Sequence, residues 1–159
     1  MAVVPTGAYG AAMANVKAML VASDAFQEFC GIDPEDEDAA DDAAECVYYQ
    51  GVDDPGDNRP FAVIESKTGS WEKTSGGGSN AYRGSGELSV VFELDGDEDL
   101  TASENEITMM NHVDSVLSDL RNAAAVGTNL DIVGITADGV VRSDHRTGYY
   151  LQEMVSIRW

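Results

Sequence analysis

Asp95, Asp97, Asp99 and Glu106 are the residues whose spacing comes closest to a metal-binding chemistry. Counted from Asp95, they fall at positions 1, 3, 5 and 12 of a calcium-loop pattern, in which hard carboxylate oxygens converge on a hard cation. Position 6 of such a loop turns sharply and takes glycine, but here it is Leu100. The preceding residues also read as a strand and not as the entering helix of that motif. The competing reading is an acidic strand-to-helix connection, with Glu104 and Glu106 favouring the positive end of the helix dipole. The four acids are therefore a weak metal candidate, suited at most to low-selectivity cation binding.

Other reactive side chains are not spaced for catalysis. His112 falls mid-helix beside Asp114, and His145 follows Asp144 in a polar stretch. Neither has a cysteine or second histidine at a ligand spacing, and no nucleophile or orienting partner is marked. Gly76-Gly77-Gly78 lacks the Gly-Lys-Ser/Thr ending of a phosphate loop. Cys30 and Cys46 are too few for a disulfide scaffold. They flank an acidic helix-like segment and could lie near one another, although two reduced buried thiols are the simpler reading. No catalytic residue is assigned from these spacings. A metal-dependent hydrolase built on aspartates ranks last, because no histidine–carboxylate set supports it.

The stretch from Lys67 to Gly86 suggests binding chemistry. It holds Lys67, Lys73 and Arg83, three of the nine cations in the chain, together with Trp71 and Tyr82. Its glycines are Gly69, Gly76, Gly77, Gly78, Gly84 and Gly86. This composition predicts a long mobile hairpin or loop, with a short strand around Trp71 and the five cationic and aromatic residues as partner contacts. The alternative is a solvated flexible hairpin.

These residues need elements to hold them. Met13, Val16, Met19, Leu20, Phe26 and Phe29 recur at helical spacing and predict a helix over 11–29, with Gly31 at its C′ position. Asp33-Pro34 followed by acids predicts a short, solvated second helix over 35–45. Strands are expected over 46–50, 61–66, 87–94, 130–137 and 149–159. Leu88, Val90, Phe92 and Leu94 face one way, and Glu87, Ser89, Val91 and Glu93 the other. In the last run Tyr149, Leu151, Val155, Ile157 and Trp159 share a face, with Glu153 as the exception. Asp138-Gly139 reads as a tight turn before Val140-Val141. A helix over 104–125 carries Ile107, Met110, Val113, Leu117 and Leu120, with Met109 and Val116 broadening the stripe and Ser103 and Glu106 as its capping box. The expected fold is one α+β domain spanning 1–159. Two amphipathic helices cover one face of a mostly antiparallel sheet, with a long glycine-rich hairpin and an inserted short acidic helix.

Composition narrows the partners. Nine Lys and Arg against 29 Asp and Glu give a formal charge of −20 in 159 residues. No basic stripe exists to release phosphate counterions, so sequence-specific nucleic-acid binding is not expected. Anionic lipid surfaces would repel the chain, and no apolar run is long enough for a membrane span. Residues 1–20 are fairly apolar, but their only cation, Lys17, lies at the far end, opposite to a secretory signal. A hydrophobic fraction of 43% with mean hydropathy −0.21 suffices for an ordinary core.

The element order resembles the tail terminator, or tail completion, proteins of long-tailed bacteriophages and related viruses. The resembling parts are the opening helix through Met19-Leu20, the strand Pro60-Phe61-Ala62-Val63-Ile64-Glu65 and the glycine-rich hairpin. They continue through the strand Gly86 to Glu93, the helix around Val113 to Leu120, and the closing run Tyr150 to Trp159. The resemblance implies a small α+β subunit of a six-membered homo-oligomeric ring in the virion. Such a ring caps the tail tube, ends tube polymerisation and joins the tail to the head-side neck. The implied partners are further copies of the chain, the tail tube protein and a head–tail connector. DNA would pass through the ring without being read. Assembly in the host cytoplasm, no enzymatic activity and no cofactor are implied as well. Competing readings are another neck component such as a connector or stopper, a tail tube protein, and, more remotely, a cation-binding acidic domain of a salt-adapted organism.

Overall fold

A computed structural model describes residues 7–73, 82–125 and 132–159. Among them are helices α1 (Gly7–Val21), α2 (Asp24–Phe29), α3 (Ala39–Ala44) and α4 (Ala102–Ala125). The strands are β1 (Val47–Tyr49), β2 (Phe61–Lys73), β3 (Tyr82–Asp95), β4 (Gly134–Ala137), β5 (Val141–His145) and β6 (Gly148–Arg158). They form one sheet in the order β1-β2-β3-β6-β4, with β5 also paired to β6. Only the short β1–β2 pairing is parallel. The fold is therefore α+β with a mixed, mostly antiparallel sheet.

Strand alternation builds the core. Ala62 and Ile64 of β2, Leu88, Val90 and Phe92 of β3, and Leu151, Val155 and Ile157 of β6 are all buried in one cluster. α1 covers the β2–β3 part of this face, and α4 covers β6. Phe26, Phe29 and Phe92 join the layers, with ring centroids 5.8–6.3 Å apart. Each large side chain buried here stabilises the fold by about 1.5–3 kcal/mol.

The single helix expected over 11–29 is instead two. Ser23 has extended backbone angles, φ −84° and ψ 119°, and caps α2 by accepting from the Phe26 amide. Its hydroxyl donates to Asp119 Oδ2 on α4 at 2.7 Å, and the Ala25 amide also reaches that oxygen at 3.3 Å. A contact 96 residues away thus breaks a continuous helical pattern. Gly31 ends α2 as expected, at φ 76°, with its amide bonded to Glu28 and the Ile32 amide bonded to Gln27. This Schellman arrangement satisfies carbonyls that the helix end leaves open.

The acidic helix starts later than expected. Asp33 Oδ1 accepts from the Glu35 amide, so Asp33-Pro34 opens a turn and α3 begins only at Ala39. Ala39 and Ala43 are the residues with a surface to bury there, whereas 35–38 are all acids. At α4 the capping box lies two residues earlier than predicted. Glu104 Oε2 accepts from the Thr101 amide at 2.8 Å, and Thr101 Oγ1 accepts from the Glu104 amide at 3.3 Å. The buried stripe of α4 is Asn105, Met109, Val113, Val116, Leu117 and Leu120, while Ile107 and Met110 are 55% and 48% exposed. Of the expected stripe Met109, Val113, Val116, Leu117 and Leu120 are buried, and Ile107 and Met110 face outward.

Asp138-Gly139 does not close a hairpin. β4 and β5 lie end to end along the same edge of β6, with Ala137 opposite Val155 and Val141 opposite Gln152. One extra residue on the edge strand makes this a bulged joint. The hairpin turn comes later, between His145 and Gly148, which are in register.

Candidate functional site

β2 and β3 pair along their whole length, from Phe61 opposite Glu93 to Lys73 opposite Tyr82. β6 accompanies β3 only to Glu87, after which Gly86 and Trp159 exchange both backbone hydrogen bonds. β1 accompanies β2 only from Ala62 to Ile64. Past that point no described strand flanks the two arms, which continue over Ser70–Lys73 and Tyr82–Ser85 as a ribbon. At roughly 3.3 Å per residue the ribbon runs about 13 Å past the sheet. The two described arms of the expected hairpin are thus regular ladder, because backbone pairing tolerates glycine and serine where side chains have nothing to bury.

The five sequence-selected contact residues fall along these arms. Lys67 sits at the register shift between Ser66 and Thr68, with Nζ 3.4 Å from Met154 Sδ on the sheet face away from the helices. Trp71 is in register with Gly84, Lys73 with Tyr82, and Arg83 with Glu72. The side chains of Trp71, Lys73, Tyr82 and Arg83, and the Gly76-Gly77-Gly78 tip, lie outside the described residues. At the ribbon's base a cleft of about 330 Å³ is lined by Gly69, Ser85, Gly86, Glu87, Val133, Arg158 and Trp159.

Sequence reasoning missed a second cluster, centred on Arg59. The segment between β1 and β2 crosses the sheet face opposite the helices, and the Arg59 side chain there is only 6% exposed. Its guanidinium lies 3.8 Å over the Tyr150 ring. Nε donates to Glu93 Oε2 at 2.9 Å, and Nη1 lies 3.1 Å from Asp57 and 3.6 Å from Asp95. Gln152 also donates to Glu93, at 3.4 Å. Burial pushes the Glu93 carboxyl up, and the hydrogen bond from Arg59 opposes it. For Arg59 burial disfavours the charge, but Asp57 and Glu93 outweigh it and the shift is upward. The pair is therefore a clamp whose Coulomb gain is largely offset by desolvation. One signal was available: Arg59 is the only cation between Lys17 and Lys67 and precedes a strand-opening proline.

The acids of the calcium-like pattern are not brought together. Asp95 faces Arg59 at 3.6 Å and His145 at 3.9 Å. Asp97 Oδ1 accepts from the Asp99 amide in a local turn, and Glu106 is exposed on α4. Buried Asn105 fills the loop instead. Its Oδ1 accepts from the Asp97 amide, and its Nδ2 lies within 2.6–3.3 Å of Tyr149 Oη and the Asp97, Leu100 and Thr101 carbonyls. The Asn105 amide nitrogen thus occupies the centre of these oxygens and shares its two N–H donors among them. Among the described residues no group of three or more His, Cys, Asp or Glu side chains is placed to hold a metal ion. Gly96 is where the backbone passes under Tyr149: an added Cβ would stand 2.5 Å from the ring.

His112 packs edge-on against Phe29, and His145 stacks near Tyr150. Glu153 is buried on the helix-covered face. Its Oε2 has no hydrogen-bond partner, and burial first, then Asp114, pushes its carboxyl from 4.5 to about 7. Among the described residues no helix is long and apolar enough to cross a membrane.

No protein-family model matches the sequence, and no curated protein matches it significantly.

Proposed function

We propose that this chain is a ring-forming structural subunit of a viral tail. It would cap the tail tube and join it to the head-side neck. The β2–β3 ribbon carries this reading: a paired arm that runs past its own sheet is a contact element. Two strands alone are marginal in water, so such an arm gains stability by docking on a neighbour or on a tube. Lys67, Trp71, Lys73, Tyr82 and Arg83 are the residues assigned to that contact. They would supply aromatic area and positive charge to partners otherwise met by a body of charge −20. A ring of such subunits would also leave fewer free sheet edges than the isolated chain.

Negative-stain microscopy of the purified chain mixed with tail tube subunits tests the reading. The expected result is single rings, and tubes that stop growing where a ring sits. Long cylinders made of this chain alone would instead indicate a tube subunit. Binding of the ring to a connector but not to the tube would indicate a neck component. A chain that stays monomeric with either partner would refute the proposal.

A further inference from the structure

The outward side of α4 carries an apolar patch. Ile107 and Met110, one helical turn apart, are 55% and 48% exposed there, and Leu100 just before the helix is 36% exposed. Helical spacing puts Glu104 beside Ile107, and Glu106 and Asp114 beside Met110. All three acids are exposed. From Asp95 to Leu120 the chain has eight acids and no Lys or Arg. The patch is therefore apolar at its centre and negative at its rim.

The β2–β3 ribbon has the complementary chemistry. Residues 67–85 hold three cations against one acid, Glu72, together with Trp71 and Tyr82. Within one chain the ribbon points away from the patch. β3 runs from the ribbon to Asp95, and the nine residues after Gly86 span about 30 Å. α4 begins at that far end, where Asn105 Oδ1 accepts from the Asp97 amide at 2.8 Å and Asn105 Nδ2 lies 2.6 Å from Tyr149 Oη. Ile107 and Met110 lie in the first three turns of α4, whereas the ribbon leaves from the opposite end of the sheet.

We propose that the Ile107–Met110 patch of α4 is the seat for the β2–β3 ribbon of a neighbouring copy of this chain. Aromatic area covers the apolar centre, and the ribbon cations meet the acidic rim. The apolar centre keeps the contact at a salt concentration that screens the repulsion between the acidic bodies. One end of a copy then meets the other end of the next, a heterologous contact that closes into a ring where the rotation fits. The inference rests on the ring reading and names the surface that the ribbon meets.

Two double variants of the full chain test it at physiological salt: Ile107→Gln with Met110→Gln, and Lys73→Gln with Arg83→Gln. The patch residues are exposed and glutamine suits a helix, so the first variant should melt as the wild type does. Each variant alone should need about tenfold or more protein to assemble. Their equimolar mixture should give a one-to-one heterodimer in sedimentation velocity, because the intact ribbon of one fits the intact patch of the other and the second contact is missing. Wild-type rings from either variant alone would overturn the seat and leave the ring reading standing. A patch variant that forms such rings but no longer caps tubes would assign the patch to the tube subunit, which also overturns the self-contact. A wild type that stays monomeric would overturn both readings. Heterodimers in the mixture, with open filaments from the wild type, would uphold the seat and refute the ring.

Discussion

Glu153 stands directly across from Phe92 in the β3–β6 ladder, on the face that the helices cover. A carboxyl between Leu151 and Val155 must either lose its charge or bear the cost of burial. Its folded-state value near 7 lies above the ordinary 4.5, so the native state holds this proton more tightly than the unfolded chain does. The associated stability is fully present below about pH 4.5 and is lost as pH rises through about 7. Glu153→Gln should remove that part of the pH slope and raise stability at pH 8 by about 1–3 kcal/mol. Urea unfolding of both proteins at pH 5 and pH 8 checks this. An unchanged difference between the two pH values would show that Glu153 is not the titrating group.

Arg59 predicts a charge-specific loss. Removing the guanidinium leaves Glu93 half-buried without its main partner, at a cost of about 3 kcal/mol for Arg59→Ala. Arg59→Lys should recover only part of it, because an ammonium keeps the charge but not the flat stacking on Tyr150. Denaturant midpoints of the three proteins decide the order. Equal stability of the alanine variant and the wild type would mean that the clamp contributes nothing.

Gly96 is required by contact and not by backbone angle. An alanine there would drive its methyl into the Tyr149 ring, which cannot swing away without losing its Asn105 bond and its stacking under Arg142. Gly96→Ala should cost about 1–3 kcal/mol, as overpacking does. Gly96→Ala combined with Tyr149→Leu should lose less than the two single changes added together.

The Ser23–Asp119 hydrogen bond links the α1–α2 break to α4. Ser23→Ala should destabilise the fold by about 1–2 kcal/mol, through the lost cap and the unpaired carboxylate. Asp119→Asn should be milder, since an amide oxygen still accepts from the Ser23 hydroxyl. Thermal melting of both variants separates the two contributions.

Assembly of the proposed ring should depend on ionic strength. Subunits of charge −20 repel one another, and salt shortens the screening length to about 8 Å at physiological strength. Light scattering across a salt titration should show assembly promoted by salt or by divalent cations. Assembly as good in low salt would mean that charge repulsion does not control the interface.

Much of the fold was legible from the order of residue types. The alternation over 87–94 fixed the buried face of β3, and Met13, Val16, Met19, Leu20, Phe26 and Phe29 are all core residues, as their spacing required. Gly31 closes a helix as expected, and Glu153 was visible as an acid on an apolar strand face. What failed did so for identifiable reasons. The glycine-rich hairpin is present as expected, but its paired arms run well beyond a short strand around Trp71, because the ribbon is held by backbone bonds that composition does not report. Ile107 and Met110 of the expected α4 stripe face outward, while Asn105, a polar residue, holds the buried place one turn before Met109 to satisfy the 95–101 connection.

By itself the sequence determined the fold class, the acidity and the identity of most core residues, because hydrophobic periodicity and charge are local properties of the chain. Only the tertiary structure decided that Ser23 would break a helix against Asp119 and that Arg59 would clamp the far face of the sheet. Each of these pairs residues far apart in sequence, and no local pattern encodes which distant partner a polar side chain will find.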